Sequence, residues 1–382
     1  MRKTYVEEIE FLRTVKQPVI LFGAGNTAEF NLRYFRELGI RPAAFCDNSK
    51  EKEGGMIDDL PILPLGTKGD KEVPDIYRGG VLGKYPEAYF YITVQLYYKE
   101  IEKQLLAAGV ASEHISKFDI ICQLPWEKDC LAFYSQNAER LQKIYDSLGD
   151  DESRRVLANR MTFFQTRQRC LMTDIRGKKQ YFEEELINYK KIDTFVDLGT
   201  YTGDTIEDFL KISDGNYSRV YGFEPDDKLY ETARQNLKDF KNIMIVNKGT
   251  SDFDGEVKVN GSMGAMQSIE GNVFGENETG DFFEVCKLDT YFENPQFLSQ
   301  PHKIGMIKMD IEGAELATLK GAKRVIETNI PILAICVYHK QEDIFLIPEY
   351  LYGLSCGSRY KMYLRHYSDN QTETVAYFIP EY

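Results

Sequence analysis

Two kinds of pattern alternate along the chain: short, wholly apolar runs, and longer stretches whose apolar residues recur every three to four positions. The first series opens with a helical pattern over Tyr5–Val15 and the apolar run Pro18–Phe22. A glycine turn at Gly23 and Gly25 leads into a helix over Asn26–Leu38, with Phe30, Tyr34 and Leu38 on one face. A strand over Pro42–Asn48 follows, then a loose region containing Gly and Pro from Gly54 to Gly83. The series continues with a strand Tyr89–Val94, a helix Lys99–Ala108 and a last strand at Phe118–Ile121. A second series begins after Lys191. Its strands read Thr194–Leu198, Arg219–Phe223, Ile243–Asn247, Glu256–Val259, Glu284–Leu288, Ile304–Asp310, Ile332–Tyr338, Tyr360–Tyr367 and Thr374–Ile379. Helices are expected between most of them, over Ile206–Lys211, Leu229–Asp239 and Glu315–Glu327.

Between the two series the pattern is helical alone. Leu131, Tyr134, Ala138, Leu141, Tyr145 and Leu148 repeat at helical spacing, and after the turn Ser147–Ser153 a second helix runs through Leu157, Met161 and Phe164. This pair is expected to bridge two domains, to pack on one of them, or to form a homodimer interface. Strand, turn and helix in alternation imply parallel sheets with helices on both faces. The expected fold is therefore α/β: two doubly wound Rossmann-like domains, residues 1–122 and 181–382, joined by a helical linker at 123–180. The last two strands are separated by only a short polar segment and should pair as an antiparallel hairpin. A parallel sheet closed in this way is the plan of class I methyltransferases.

Composition narrows the function. With 43% hydrophobic and 28% charged residues the chain reads as an ordinary globular protein, and its 382 residues suit two cores. No apolar run approaches the ~20 residues that span a bilayer, and the N-terminal segment lacks the apolar stretch of a signal peptide. Seven scattered cysteines (Cys46, Cys122, Cys130, Cys170, Cys286, Cys336 and Cys356) show no paired spacing, as expected of reduced thiols in a cytoplasmic protein. A net charge of −13 disfavours a nucleic-acid partner.

Three strand ends carry the candidate chemistry. In the first, Asp197 closes a strand and the turn Gly199-Thr200-Tyr201-Thr202-Gly203 enters a helix. Glycines there allow close backbone approach of a ligand, at the edge where open α/β sheets bind their ligands. Tyr201 stands where the usual middle glycine would be, and the spacing is that of neither a phosphate-binding fingerprint nor a P-loop. At the second strand end Glu224 precedes Pro225 and can accept both hydroxyls of a ribose, while Asp226 and Asp227 suit the cap of the next helix. The third delivers Lys308, Asp310 and Glu312, with Glu315 on the following helix. Such groups position a donor, deprotonate a hydroxyl or hold a metal, and if a metal is bound, Asp310 and Glu312 are its expected ligands. Of the four histidines, His339 ends an apolar strand over the same sheet edge and is the candidate general base. His366, with Arg365 and Tyr367, is a weaker candidate for substrate contact; His114 and His302 lie in polar connections without a motif.

With these motifs in place the C-terminal part resembles the FkbM family of methyltransferases. The likeness is carried by DLGTYTGDT, GFEPD, VNKGTSDFDGEV, KLDTYF, IKMDIEGAELATLKGA and RHYSDNQTETVAYFIP in collinear order. The resemblance implies an S-adenosyl-L-methionine-dependent class I enzyme that methylates a hydroxyl oxygen on a sugar, glycoconjugate or secondary metabolite. It further implies that Asp197, Gly199 and Glu224 hold the donor and that Asp252 lies by the adenine. The N-terminal turn, with Asp47 after its second strand, resembles the nucleotide-sugar-binding domain of PglD-type sugar O-acyltransferases. The chain is thus expected to transfer a methyl group to a small-molecule or carbohydrate acceptor, with Asp310, His339 and Lys308 as candidate catalytic residues. A nucleotide-binding regulatory or scaffold protein is the alternative.

Overall fold

The computed structural model describes residues 4–66, 79–94, 97–121, 127, 130–259, 281–293 and 303–381; Cys122 and His302 lie outside them. Two compact units interleave along the chain. One comprises residues 1–131, 158–176 and 368–371, the other 132–157, 177–367 and 372–382.

The first unit is built on strands β1 (Val19–Phe22), β2 (Ala44–Cys46), β3 (Met56–Ile57), β4 (Leu60–Leu63) and β5 (Tyr89–Ile92), in the order β3-β4-β2-β1-β5. All pairings are parallel except the short β3–β4 hairpin. Because a strand's side chains alternate between faces, β1 feeds two cores: Val19 and Leu21 pack with Leu32, Phe35 and Tyr91, while Ile20 and Phe22 pack with Phe90, Ile101 and Leu105. Two expectations are corrected. The supposedly loose Gly54–Gly83 region contains β3 and β4, hidden from a pattern reading by their brevity and by Pro61. Phe118–Ile121 forms no strand; Phe118 makes an isolated bridge to Gln168.

The second unit holds β6 (Thr194–Leu198), β7 (Arg219–Phe223), β8 (Ile243–Val246), β9 (Gly249–Thr250), β10 (Gly255–Val259), β11 (Asp281–Cys286), β12 (Ile304–Met309), β13 (Ile332–Cys336), β14 (Tyr360–His366) and β15 (Thr374–Pro380). Seven of these form one sheet in the order β14-β15-β13-β12-β6-β7-β8. Only β15 runs against its neighbours β13 and β14. That is the class I methyltransferase plan expected from the sequence, with the antiparallel hairpin at its edge. Strands β10, β11 and β9 make a small separate sheet.

The helix expected over Glu315–Glu327 is two, Glu315–Gly321 and Lys323–Asn329. A Cβ at Gly321 would stand 2.0 Å from the Ser251 carbonyl oxygen, so a glycine is needed at that approach. Among the helices between the two series, Tyr134, Ile144 and Leu148 are buried, but Leu131 and Tyr145 face solvent. Among the described residues no helix is long and apolar enough to cross a membrane.

Candidate active site

The second unit's central strands end together, and their connections form the site. After β6 the chain turns through Gly199 (φ +78°), Tyr201 (φ +52°) and Gly203 (φ +91°) into the helix Asp204–Ile212. A Cβ at Gly199 would lie 1.9 Å from the Asp310 carbonyl oxygen, so only glycine lets the ends of β6 and β12 close on each other. Gly199 N–H and Thr200 N–H both donate to the Phe223 carbonyl, at 3.0 and 3.1 Å, and tie the turn to β7. Tyr201 occupies a left-handed conformation that costs an ordinary residue roughly 1–2 kcal/mol. Its N–H donates to Glu224 Oε2 at 2.8 Å, and its ring is exposed.

Glu224, just past β7, also accepts from Asp226 N–H through Oε1 at 3.1 Å. It is only 4% exposed. Burial pushes its pKa up to about 7, against the lowering effect of the two amides. Asp226 caps the next helix, accepting from Lys228 and Leu229 N–H, as its sequence position suggested.

Asp197 and Lys308 are cross-strand neighbours on β6 and β12 and form a buried ion pair at 2.9 Å. Burial raises Asp197 to about 6, with Lys308 opposing. For Lys308 burial works downward, but Asp197 and Asp310 prevail and raise it to about 12. Its ammonium also donates to the Gly199 carbonyl at 2.7 Å. The structure therefore assigns both a bracing role. Asp197 is fully buried, and the neighbouring carboxylates favour the charged form of Lys308. Thr200 is likewise internal, its hydroxyl donating to the Asp197 carbonyl.

Asp310, Glu312 and His339 do come together. The Asp310 side chain is a quarter exposed (24%), and Glu312 about a third (32%). Tyr181 donates to Asp310 Oδ2 at 2.6 Å, and Tyr338 approaches Oδ1 at 3.4 Å. Burial would raise the Asp310 pKa, but His339 and Lys308 outweigh it and hold the group below the ordinary carboxylate range. His339 Nδ1 lies 2.9 Å from Glu315 Oε1, and its Nε2 faces Asp310 and Glu312. Burial would depress its pKa, yet Glu315, Asp310 and Glu312 raise it to about 10. The three carboxylates thus favour the protonated ring, which weighs against its acting as the base.

Other residues fall elsewhere. Asp252 is exposed just beyond β9, and Pro225 is half-buried beside Glu224. Arg365, His366 and Tyr367 are buried with internal partners: Asp150, Thr374, and Glu183 with Tyr377. They make no substrate surface. Tyr181, Tyr338 and Glu373 were not singled out from the sequence. Tyr338 also donates to Glu373 Oε1 at 3.3 Å. Tyr181 precedes the motifs and reaches Asp310 only through the fold; Tyr338 had a signal, since it stands next to His339 at the same strand end.

Strand order, glycine turn and the acid at the end of β7 define a Rossmann-like methyltransferase fold. Residues 197–360 match the model of the methyltransferase FkbM domain family. Among solved structures it is similar to the methyltransferase FkbM of Methylobacillus flagellatus KT, with a TM-score of 0.67 and 20% identity over 98% of this chain and 93% of that one. An rRNA methylase from Streptococcus thermophilus aligns with 50% of this chain and 90% of its own at 16% identity, with a TM-score of only 0.31. Among curated proteins, the ribosomal RNA small subunit methyltransferase A of Persephonella marina is 32% identical over 85 residues, 21% of this chain. The match spans 31% of that relative's length.

Proposed function

We propose that the chain is an S-adenosyl-L-methionine-dependent methyltransferase acting on a hydroxyl oxygen of a sugar, glycoconjugate or secondary metabolite. One observation carries the reading: the Glu224 carboxylate at the end of β7 is bonded to the glycine turn that leaves β6, the position from which an acid accepts ribose hydroxyls. The residues fit such a donor. An ionised carboxylate has about four lone-pair sites, so Glu224 keeps acceptor capacity beyond its two amide bonds. When bound, the donor supplies a methyl group activated by a sulfonium. The chain's own part is alignment and proton handling. Asp310, ionised and partly open to solvent, accepts the hydrogen bond of the acceptor hydroxyl and takes its proton. Tyr181 and the His339 imidazolium fix the carboxylate in place. Lys308, braced by Asp197, holds the glycine turn against the end of β12.

The test is to supply S-adenosyl-L-methionine with a panel of sugars, glycosides and polyols and to quantify S-adenosylhomocysteine. At least one hydroxyl acceptor should give turnover. Asp310→Asn should lower it by roughly 10²- to 10⁴-fold while S-adenosylhomocysteine still binds. Turnover confined to amine or carboxylate acceptors would overturn the oxygen assignment.

A further inference from the structure

We propose that Asp310, Glu312 and His339 form a binding site for a divalent cation of the Mg2+ or Mn2+ class. For its catalytic role this rests on the methyl-transfer reading above; for cation binding it stands alone. His339 Nε2 lies 3.4 Å from Asp310 Oδ1 and 3.5 Å from Glu312 Oε2. Metal bonds of about 2.1 Å place adjacent ligand atoms about 3.0 Å apart in an octahedron and about 3.4 Å in a tetrahedron. The ring nitrogen therefore stands near coordination spacing from each of the two carboxylates.

The other ring nitrogen supplies a second feature. A metal-binding histidine usually donates its remaining N–H to a carboxylate, which sets the tautomer and aims the lone pair. Glu315 Oε1 does this at 2.9 Å from Nδ1. Asp310, Glu315 and His339 each offer a ligand atom within 4.8 Å of the others. Since Glu315 Oε1 is committed to Nδ1 and to the Ile311 amide, Glu315 is the orienting carboxylate and Glu312 the third ligand.

An independent sign of a missing positive charge lies in the same cluster. Glu315 is completely buried, and among the described residues its Oε2 has no hydrogen-bond partner. Burying a carboxylate this way is costly unless a cation compensates it, and the three carboxylates here face one imidazole, with the Lys308 ammonium also acting on Asp310 and Glu312 but already paired with Asp197. Glu312 (φ +55°) and Gly313 (φ +95°) curl the chain directly after β12 so that the Glu312 side chain returns to the cluster. Carboxylate-rich sites with one imidazole and solvent access suit hard divalent ions, and the incoming ion displaces the Nε2 proton of the ring to solvent. The remaining positions would take water or the acceptor hydroxyl, which loses its proton more readily as a metal ligand.

The experiment is a calorimetric titration of chelator-treated full-length protein with Mn2+ alone, repeated with Mg2+ as competitor. The expected result is one saturable Mn2+ site per chain that Mg2+ displaces. Glu312→Gln should abolish it, and Glu315→Gln should weaken it roughly 10- to 100-fold. S-adenosylhomocysteine affinity should stay within about twofold in both variants. Glu312 is a third exposed, so its variant remains informative if Glu315→Gln misfolds. No saturable Mn2+ binding, or a site untouched by Glu312→Gln, overturns the proposal. Mn2+ binding without any S-adenosylhomocysteine binding would keep the cation site and sink the donor reading instead.

Discussion

Glu224 couples donor affinity to pH, and the structure sets both sign and size. Its pKa is raised from the ordinary 4.5 to about 7 by burial. Below that value the carboxyl is protonated, one oxygen becomes a donor, and an acceptor for the ribose is lost. Donor affinity should therefore increase as pH rises through about 7. If only the ionised form binds, roughly a tenth of the protein is competent one unit below the pKa and roughly nine tenths one unit above. The dissociation constant for S-adenosylhomocysteine should then fall about tenfold between pH 6 and pH 8. Glu224→Gln removes the titration, so its affinity should be nearly flat over that range. At pH 8 the variant should bind roughly 10- to 150-fold more weakly, the cost of losing a hydrogen bond to a charged group at about 1.5–3 kcal/mol. The same group acts on stability with opposite sign. A carboxyl whose folded pKa lies above its unfolded value favours the folded state at low pH, and that advantage is lost as pH rises from about 4.5 to about 7. Donor-free protein should accordingly melt at a lower temperature at pH 8 than at pH 6, more so than Glu224→Gln. Isothermal titration across pH, with melting curves alongside, tests both halves. A wild-type pH slope that survives in Glu224→Gln would show that another group sets the pH dependence.

Other substitutions probe the frame around the site. Gly199→Ala places a Cβ 1.9 Å from the Asp310 carbonyl oxygen at φ +78°; it should cost at least several kcal/mol and sharply reduce the folded yield, judged by melting and by recovery of soluble protein. Removing one partner of the buried pair, as Asp197→Asn or Lys308→Met, should destabilise by about 3–5 kcal/mol in urea unfolding, whereas Asp197→Leu with Lys308→Met should recover part of that loss. Tyr201→Gly should leave the melting temperature nearly unchanged, because relief of the left-handed strain offsets glycine's larger unfolded-state entropy; a large drop would show that the exposed ring packs on something essential. Tyr181→Phe removes a 2.6 Å hydrogen bond to ionised Asp310 and should cost about 1.5–3 kcal/mol in unfolding, with S-adenosylhomocysteine affinity retained.

The sequence made the seven-stranded sheet readable because most of its strands are largely apolar stretches bounded by turns, and the short link before Thr374 forced an antiparallel pair. Elements that break the pattern stayed hidden: β4 contains Pro61, β9 is two residues long, and the helix Asp343–Tyr352 carries Pro348 in its interior. Within the site, Glu224, Asp310 and His339 stood out because each ends a strand at the ligand-binding edge. Their protonation states were not legible. The histidine's ordinary pKa near neutrality suggested a base, but three carboxylates converge on it only once β12, β13 and the helix Glu315–Gly321 are packed. The pairing of Asp197 with Lys308 was hidden for a related reason: the two are 111 residues apart and meet only as cross-strand neighbours on β6 and β12. Tyr181 is 129 residues from Asp310 along the chain, and no local spacing announces it.

The central claim, a methyl donor seated between Glu224 and Asp310, is tested most directly by a crystal structure of the protein with S-adenosylhomocysteine. The ribose hydroxyls should lie on the Glu224 carboxylate and the thioether sulfur at the ends of β6 and β12, facing Asp310. A ligand bound elsewhere, or ribose density with no contact to Glu224, would contradict it.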